Sequence, residues 1–147
     1  MAKKTKILGS AFTAIVLCFL VYGYLQFQRP AQNDVSENEV FQSLSTAEIL
    51  ALFETDENSA SALLVEKTIE VSGIIKEVNY VNDQHTILLR TEHFTRNFVM
   101  CDMSPLRSED ALRLKVGDTI TLKGVCKGFL LDVIMLNCIP IHENTGL

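Results

Sequence analysis

The stretch Lys67-Thr68-Ile69-Glu70-Val71-Ser72-Gly73-Ile74-Ile75-Lys76-Glu77-Val78 decides how the rest of the chain is read. Ile69, Val71 and Gly73 alternate with Glu70 and Ser72, the period of two expected of a strand with one buried face. Past Gly73 the phase slips through Ile74 and Ile75 to Val78. A glycine beside a phase slip predicts a bulge or sharp bend, where one strand passes from one sheet partner to another.

Downstream, the turn signals come at short intervals. Asn82-Asp83 reads as a turn and His85 to Thr91 as a second strand. A link around Glu92 to Thr95 leads to a third strand, Asn97 to Met103. Ser104-Pro105 opens a short helix, since proline is tolerated in a first turn. Leu106, Leu112 and Leu114 are expected to give that helix an apolar side. Val116-Gly117-Asp118 turns the chain into a fourth strand from Thr119 to Gly124, and Lys127-Gly128 turns it again into a fifth, Asp132 to Ile139. The fifth is apolar on both faces and is expected to lie centrally. Three strands, a helix and two more strands is the order of the five-stranded OB barrel. The predicted fold class is therefore mainly β with helices.

Upstream of this barrel lies an amphipathic helix. Ser45 and Glu48 have the spacing of a capping box, and Leu44 and Ile49 that of a hydrophobic staple. Ile49, Leu50, Phe53, Ala60, Leu63 and Leu64 then recur at helical spacing, which predicts a helix to about Leu64, weakened around Asp56 to Ser59. Residues 28–43, with Pro30, Asn33, Asp34, Ser36, Glu37, Asn38 and Glu39, read as a polar tether. The domains expected are thus 1–27, 28–43, 44–141 and a tail at 142–147.

The first thirty residues suggest placement. Lys3, Lys4 and Lys6 precede an apolar run from Ile7 to Leu25. Nineteen residues at a helical rise of ~1.5 Å span roughly 28 Å, close to the hydrocarbon thickness of a bilayer. A cleaved signal peptide would have a shorter apolar region and small residues at a cut site. Lipidation of Cys18 would want a small residue before it, where Leu17 stands. An uncleaved transmembrane signal anchor is the favoured reading, with Tyr22 and Tyr24 at the far interface. The lysines would keep the amino terminus cytoplasmic, so the expected location is a bacterial inner membrane, single pass, with the domain periplasmic.

The chain carries 13 basic and 18 acidic residues. Setting aside Lys3, Lys4, Lys6 and Arg29 leaves 13 − 4 = 9 basic residues against the same 18 acids, a net charge near −9 for the remainder. Nucleic-acid affinity rests on clustered Lys and Arg neutralising phosphates. The nine basic residues are scattered, which argues against nucleic acid.

Several segments together resemble the bacterial tRNA-anti-like OB-fold family. They are Ser45-Thr46-Ala47-Glu48-Ile49-Leu50, Lys67 to Gly73, Val116-Gly117-Asp118-Thr119-Ile120-Thr121-Leu122-Lys123-Gly124-Val125-Cys126, Asp132-Val133-Ile134 and Cys138. The resemblance spans 44–141. It implies an OB-fold domain on a membrane or lipid anchor, with no established activity. The family's name reflects likeness to anticodon-binding barrels and does not itself imply tRNA binding.

Candidate sites are few. Arg90, His93, Phe94 and Arg96 interleave basic and aromatic residues between the second and third strands, on the side where OB barrels commonly receive ligands. The plainer reading is a polar hairpin tip with Phe98 in the core. Asp132 is expected to cap its turn. Cys101 and Cys138 are candidate disulfide partners on neighbouring parallel strands, and three reduced buried thiols are the alternative. No zinc spacing, G-x-S-x-G elbow or phosphate-cradling glycine loop occurs, so neither a metal nor a cofactor is expected. His85, His93 and His142 read as exposed polar residues. The function expected is a non-catalytic binding or assembly module for an envelope protein, peptide or glycan; the alternative is nucleic-acid binding.

Overall fold

The structure, a computed structural model, describes residues 2–27, 35–92 and 96–141, with side chains in the first helix described for 13–26. The chain divides into two compact units, 1–32 and 33–147. The first contains α1 (Ala2–Phe27), a 26-residue helix. The expected span 7–25 falls within it, but the side chains through residue 12 lie outside the described residues. Among the described residues no helix is long and apolar enough to cross a membrane.

The second unit contains β1 (Gln42–Ser45), α2 (Thr46–Thr55), α3 (Glu57–Leu64), β2 (Thr68–Val81), β3 (Gln84–Arg90), β4 (Val99–Met103), a 3-10 helix (Pro105–Arg113), β5 (Thr119–Phe129) and β6 (Val133–Ile141). β2 is long because it serves two partners. Thr68 to Ile74 pair antiparallel with β5, and Ile74 to Val81 pair antiparallel with β3. β3 continues to β4, β4 runs parallel to β6, and β6 returns antiparallel to β5, which closes a five-stranded barrel. That is the OB order.

The phase slip lies where the sequence places it. The β2–β3 register shifts between Ile75 and Glu77, and Lys76 and Glu77 both point to solvent. Two consecutive outward residues let Ile75 and Val78 both turn toward the core, where Val78 pairs with Ile87. Without the extra residue every side chain beyond it would change face. The interior is filled by Ile69, Val71, Ile75, Ile87, Leu89, Val99, Leu122, Val133 and Met135, all fully buried. Each contributes on the order of 1.5–3 kcal/mol.

Gly73 has a second role that the alternation alone does not reveal. Thr46, buried at the start of α2, donates through Oγ1 to the Ser72 carbonyl at 3.0 Å. A Cβ on Gly73 would collide with that hydroxyl and sit 3.2 Å from Leu89 Cβ. The glycine thus permits α2 to lie directly on β2. The capping box forms as expected: the Ser45 N–H donates to Glu48 Oε2 at 2.7 Å, and the Glu48 N–H donates to Ser45 Oγ at 3.2 Å.

Four expectations are corrected. The helix predicted to reach Leu64 is two helices, because Asp56 (φ −154°) leaves the helical region. Asp56 then caps α3 by accepting from the Ser59 N–H at 3.1 Å. The turn expected at Lys127-Gly128 is a bulge inside β5, and the chain reverses at 130–132. Glycine serves bulges as readily as turns, and Cys126 faces Met135 across the ladder. The helix after Ser104 is of the 3-10 type, kinked at Arg107. At three residues per turn, Ser108, Ala111 and Leu114 align; Ala111 is buried and Leu114 packs on the core, while Leu106 and Leu112 are exposed. Finally, the folded unit begins earlier than Leu44. Val35 is fully buried, the buried Lys123 donates through Nζ to the Ser36 carbonyl at 3.1 Å, and the Phe41 N–H donates to the Thr68 carbonyl at 2.8 Å. β1 then pairs parallel with β2.

Two outcomes follow for stability. Gly73→Ala is expected to cost about 1–3 kcal/mol by overpacking, and that penalty should shrink in a Thr46→Ala background. Urea unfolding of the four variants measures the coupling; strictly additive penalties would refute the close approach. The backbone and side chain of Ser45 hold the Glu48 carboxyl below its ordinary range, and Ser59 does the same for Asp56. A lowered folded pKa means stability present above the unfolded value and lost as pH falls through the folded one. Thermal melts should therefore show a decline at acid pH that is smaller in Glu48→Gln.

Candidate ligand cleft at the barrel mouth

A cleft of about 250 Å³ opens where three elements meet. The first turn of α2 contributes Ser45 and Thr46, the middle of β2 contributes Ser72, Gly73 and Ile74, and the end of β3 contributes Arg90, Thr91 and Glu92. β3 delivers Arg90 here because Ile74 is its direct cross-strand partner. Since Leu89 points inward, Arg90 must point outward. Arg90 is half-buried, and among the described residues it pairs with no carboxylate. The cleft thus holds a cation (Arg90), a carboxylate (Glu92), four hydroxyl side chains and an apolar wall, a set suited to orienting a polar ligand.

The sequence-predicted cluster is only partly assembled. Arg90 lines the cleft; Arg96 is exposed and does not. His93 and Phe94 lie outside the described residues. Further along the chain, Asn97 donates to Glu54 at 3.1 Å, and the Phe98 N–H donates to Asp132 Oδ1 at 2.8 Å. Phe98 is half-buried rather than core, and the Lys76 ammonium stands 3.6 Å from its ring centroid. Asp132 thus ties the β5–β6 hairpin to the chain leading into β4. A second groove, of about 410 Å³, lies between β1 and α2 over Leu44, Ala51 and Leu52. Sequence reading missed it because β1 carries one apolar residue and owes its existence to pairing with β2.

Two further groups differ from or extend the sequence reading. His85 is buried, not exposed: its Nδ1 lies 2.6 Å from Ser108 Oγ and its ring packs against Tyr80, tilted by 41° with centroids 4.5 Å apart. The pair fastens the 3-10 helix to the β2–β3 hairpin. Cys101 and Cys138 meet inside the barrel as free thiols sharing a hydrogen bond. Cys138 pairs with Met103 across the parallel ladder, two residues along from Cys101. Its sulfur rests against Gly124, where a Cβ would come within 2.6 Å. Burial, then the neighbouring Cys101, pushes the Cys138 thiol well above its ordinary range, and burial likewise pushes up Cys126. Among the described residues no group of three or more His, Cys, Asp or Glu is arranged to hold a metal ion.

A closed five-stranded barrel of this order, with its cleft at the end of the second barrel strand, defines an OB-fold domain. The chain belongs to the tRNA_anti-like family, whose model matches residues 1–139. Among solved structures, it is similar to a protein from Klebsiella pneumoniae subsp. pneumoniae MGH 78578 provisionally named a nucleic acid-binding lipoprotein. The identity is 17%, the TM-score is 0.57, and the match covers 78% of this chain and all of that one. More distant similarity is found to the Stn1–Ten1 complex of S. pombe (12% identity, TM-score 0.42, 52% of this chain and 59% of that one). The asparaginyl-tRNA synthetase of Pyrococcus horikoshii is similarly distant (15%, 0.42, 54% and 20%). No curated protein matches the sequence.

The thiol environment gives a direct check. A thiol kept protonated and buried reacts slowly, since the thiolate is the nucleophile. Cys101, Cys126 and Cys138 should resist a maleimide in the folded protein and label fully in denaturant, as read by intact mass. Rapid labelling of any of the three in the native state would contradict this packing.

Proposed function

We propose that this protein is a non-catalytic binding or assembly module, held by α1 at the outer face of a bacterial inner membrane, whose partner is an envelope protein, peptide or glycan. The observation that carries this reading is the outward face of β2, β3, β4 and β6. Cross-strand register aligns Glu77, Leu88, Met100 and Ile134 in one row, with Thr86 and Asp102 paired beside it at 2.6 Å. This is the face on which OB barrels receive ligands. That row is aliphatic with carboxylates, with the cations Lys76 and Arg90 at its margin, which suits a protein or peptide surface better than a phosphate backbone. The folded remainder's charge near −9 adds to that preference. The groove between β1 and α2 supports the same reading, because β1 ends the sheet order and keeps one edge without a strand partner.

The membrane placement is supported by α1. Its described side chains, from Thr13 to Gln26, are exposed and mostly apolar on all sides, Leu17, Phe19 and Leu20 among them. A helix apolar all round suits a hydrocarbon solvent. The three lysines preceding the apolar run support a cytoplasmic amino terminus.

Nucleic-acid binding is the second reading, favoured by the provisional name of the Klebsiella protein. Fluorescence polarisation of the detergent-solubilised full chain against single-stranded DNA and RNA at low salt separates the two. No binding below the micromolar range is expected. Submicromolar binding that weakens steeply with salt would overturn the proposal in favour of the second reading.

A further inference from the structure

Among the described residues, the most exposed apolar side chains of the folded unit sit together at one point. Leu130 and Leu131, at the reversal between β5 and β6, are 80% and 83% exposed. They are held out rather than left loose. Phe129, just before them, stacks on Phe53 of α2 with centroids 5.4 Å apart and planes 17° apart, and Phe53 belongs to the core. The Leu130 N–H donates to the Asp132 carbonyl at 3.2 Å, and the Asp132 carboxylate is occupied by the Phe98 N–H. Lys127, the basic residue nearest in sequence, is neutralised by Glu66 at 2.8 Å. The tip therefore presents two aliphatic side chains, with its neighbouring polar groups already engaged.

We propose that the Leu130-Leu131 tip is a second membrane contact, dipping into the apolar edge of the bilayer in which α1 is anchored. The inference rests on the membrane reading of α1 given above. Chain length makes the bilayer the fitting occupant. Residues 28–34 separate α1 from the buried Val35. Seven residues reach at most ~25 Å, so the folded unit stays within that distance of the lipid surface, at high effective concentration. Ser36 is held by Lys123, and Leu130 follows Lys123 by seven residues of β5 and its turn, about 23 Å at a strand rise of ~3.3 Å per residue. That length is an upper limit on the tip's distance from Lys123, so the tip falls within reach of the lipid surface. The net negative charge opposes adhesion through anionic headgroups, so the contact is expected to be apolar and insensitive to salt.

The chain contains no tryptophan, so a single one reports cleanly. Full-length Leu131→Trp, reconstituted in phosphatidylcholine vesicles, is compared with Leu112→Trp, whose site in the 3-10 helix is 73% exposed. The expected result is blue-shifted Leu131→Trp emission quenched by lipids brominated on the acyl chains, equally at low and high salt. Leu112→Trp should stay red-shifted and unquenched. Unquenched Leu131→Trp emission overturns the proposal, whether red-shifted in water or blue-shifted against protein. An alkaline wash of the same vesicles tests the anchor separately. Retention without quenching sinks the tip contact alone, and release without quenching sinks both readings.

Discussion

The barrel depends on one strand being shared. β2 gives its first half to β5 and its second to β3, and the register slip between Ile75 and Glu77 is what lets it do both. A strand without the slip would turn Val78 outward and expose the inner face beyond it. With the slip, the sheet curls until β4 and β6 meet in parallel, and no barrel strand is left as a free edge. The pairing of β2 with both partners and the burial of its inner side chains depend on that extra residue, and further register shifts in the β4–β6 and β5–β6 ladders complete the circuit.

The helices are fitted to that curve by small contacts. Gly73 clears the space that Thr46 occupies, so α2 starts against the bend of β2. The same contact shapes the cleft, because the helix start, the bend and the end of β3 are brought together there. At the other end, the aligned side of the 3-10 helix meets β3 through Ser108 and His85. The strap from Val35 to Phe41 lies along β2 and β5, and Lys123 is buried beneath it with its ammonium on a carbonyl oxygen. Burying that charge is tolerable only because the carbonyl receives it.

Charge and shape together narrow what the barrel can hold. The outward row through Leu88, Met100 and Ile134 is aliphatic and flanked by carboxylates, and the cleft beside it offers Arg90 and Glu92 with four hydroxyl side chains. The three interior thiols are enclosed among apolar neighbours, with Cys138 seated on Gly124, which suits packing better than surface chemistry.

How much of this was written in the chain depends on the range of the interaction. Alternation, the phase slip at Ile74-Ile75, the Ser45–Glu48 capping box and the strand-helix-strand order are local patterns, and each appears in the fold. The site was only partly legible: Arg90 was marked by its place between strands, whereas the groove beside β1 had no local signature. β1 itself, the buried strap at Val35, the burial of His85 and the 3-10 form of the helix after Ser104 all arise from partners distant in sequence. Gly128 shows the limit most simply. The same glycine satisfies a turn or a bulge, and only the pairing of Cys126 with Met135 across the sheet selects the bulge. The sequence by itself determined the order of elements and which face of each is apolar, because those follow from side-chain periodicity. The tertiary structure decided register, edges and the cleft, because those depend on which backbone groups find each other across the barrel.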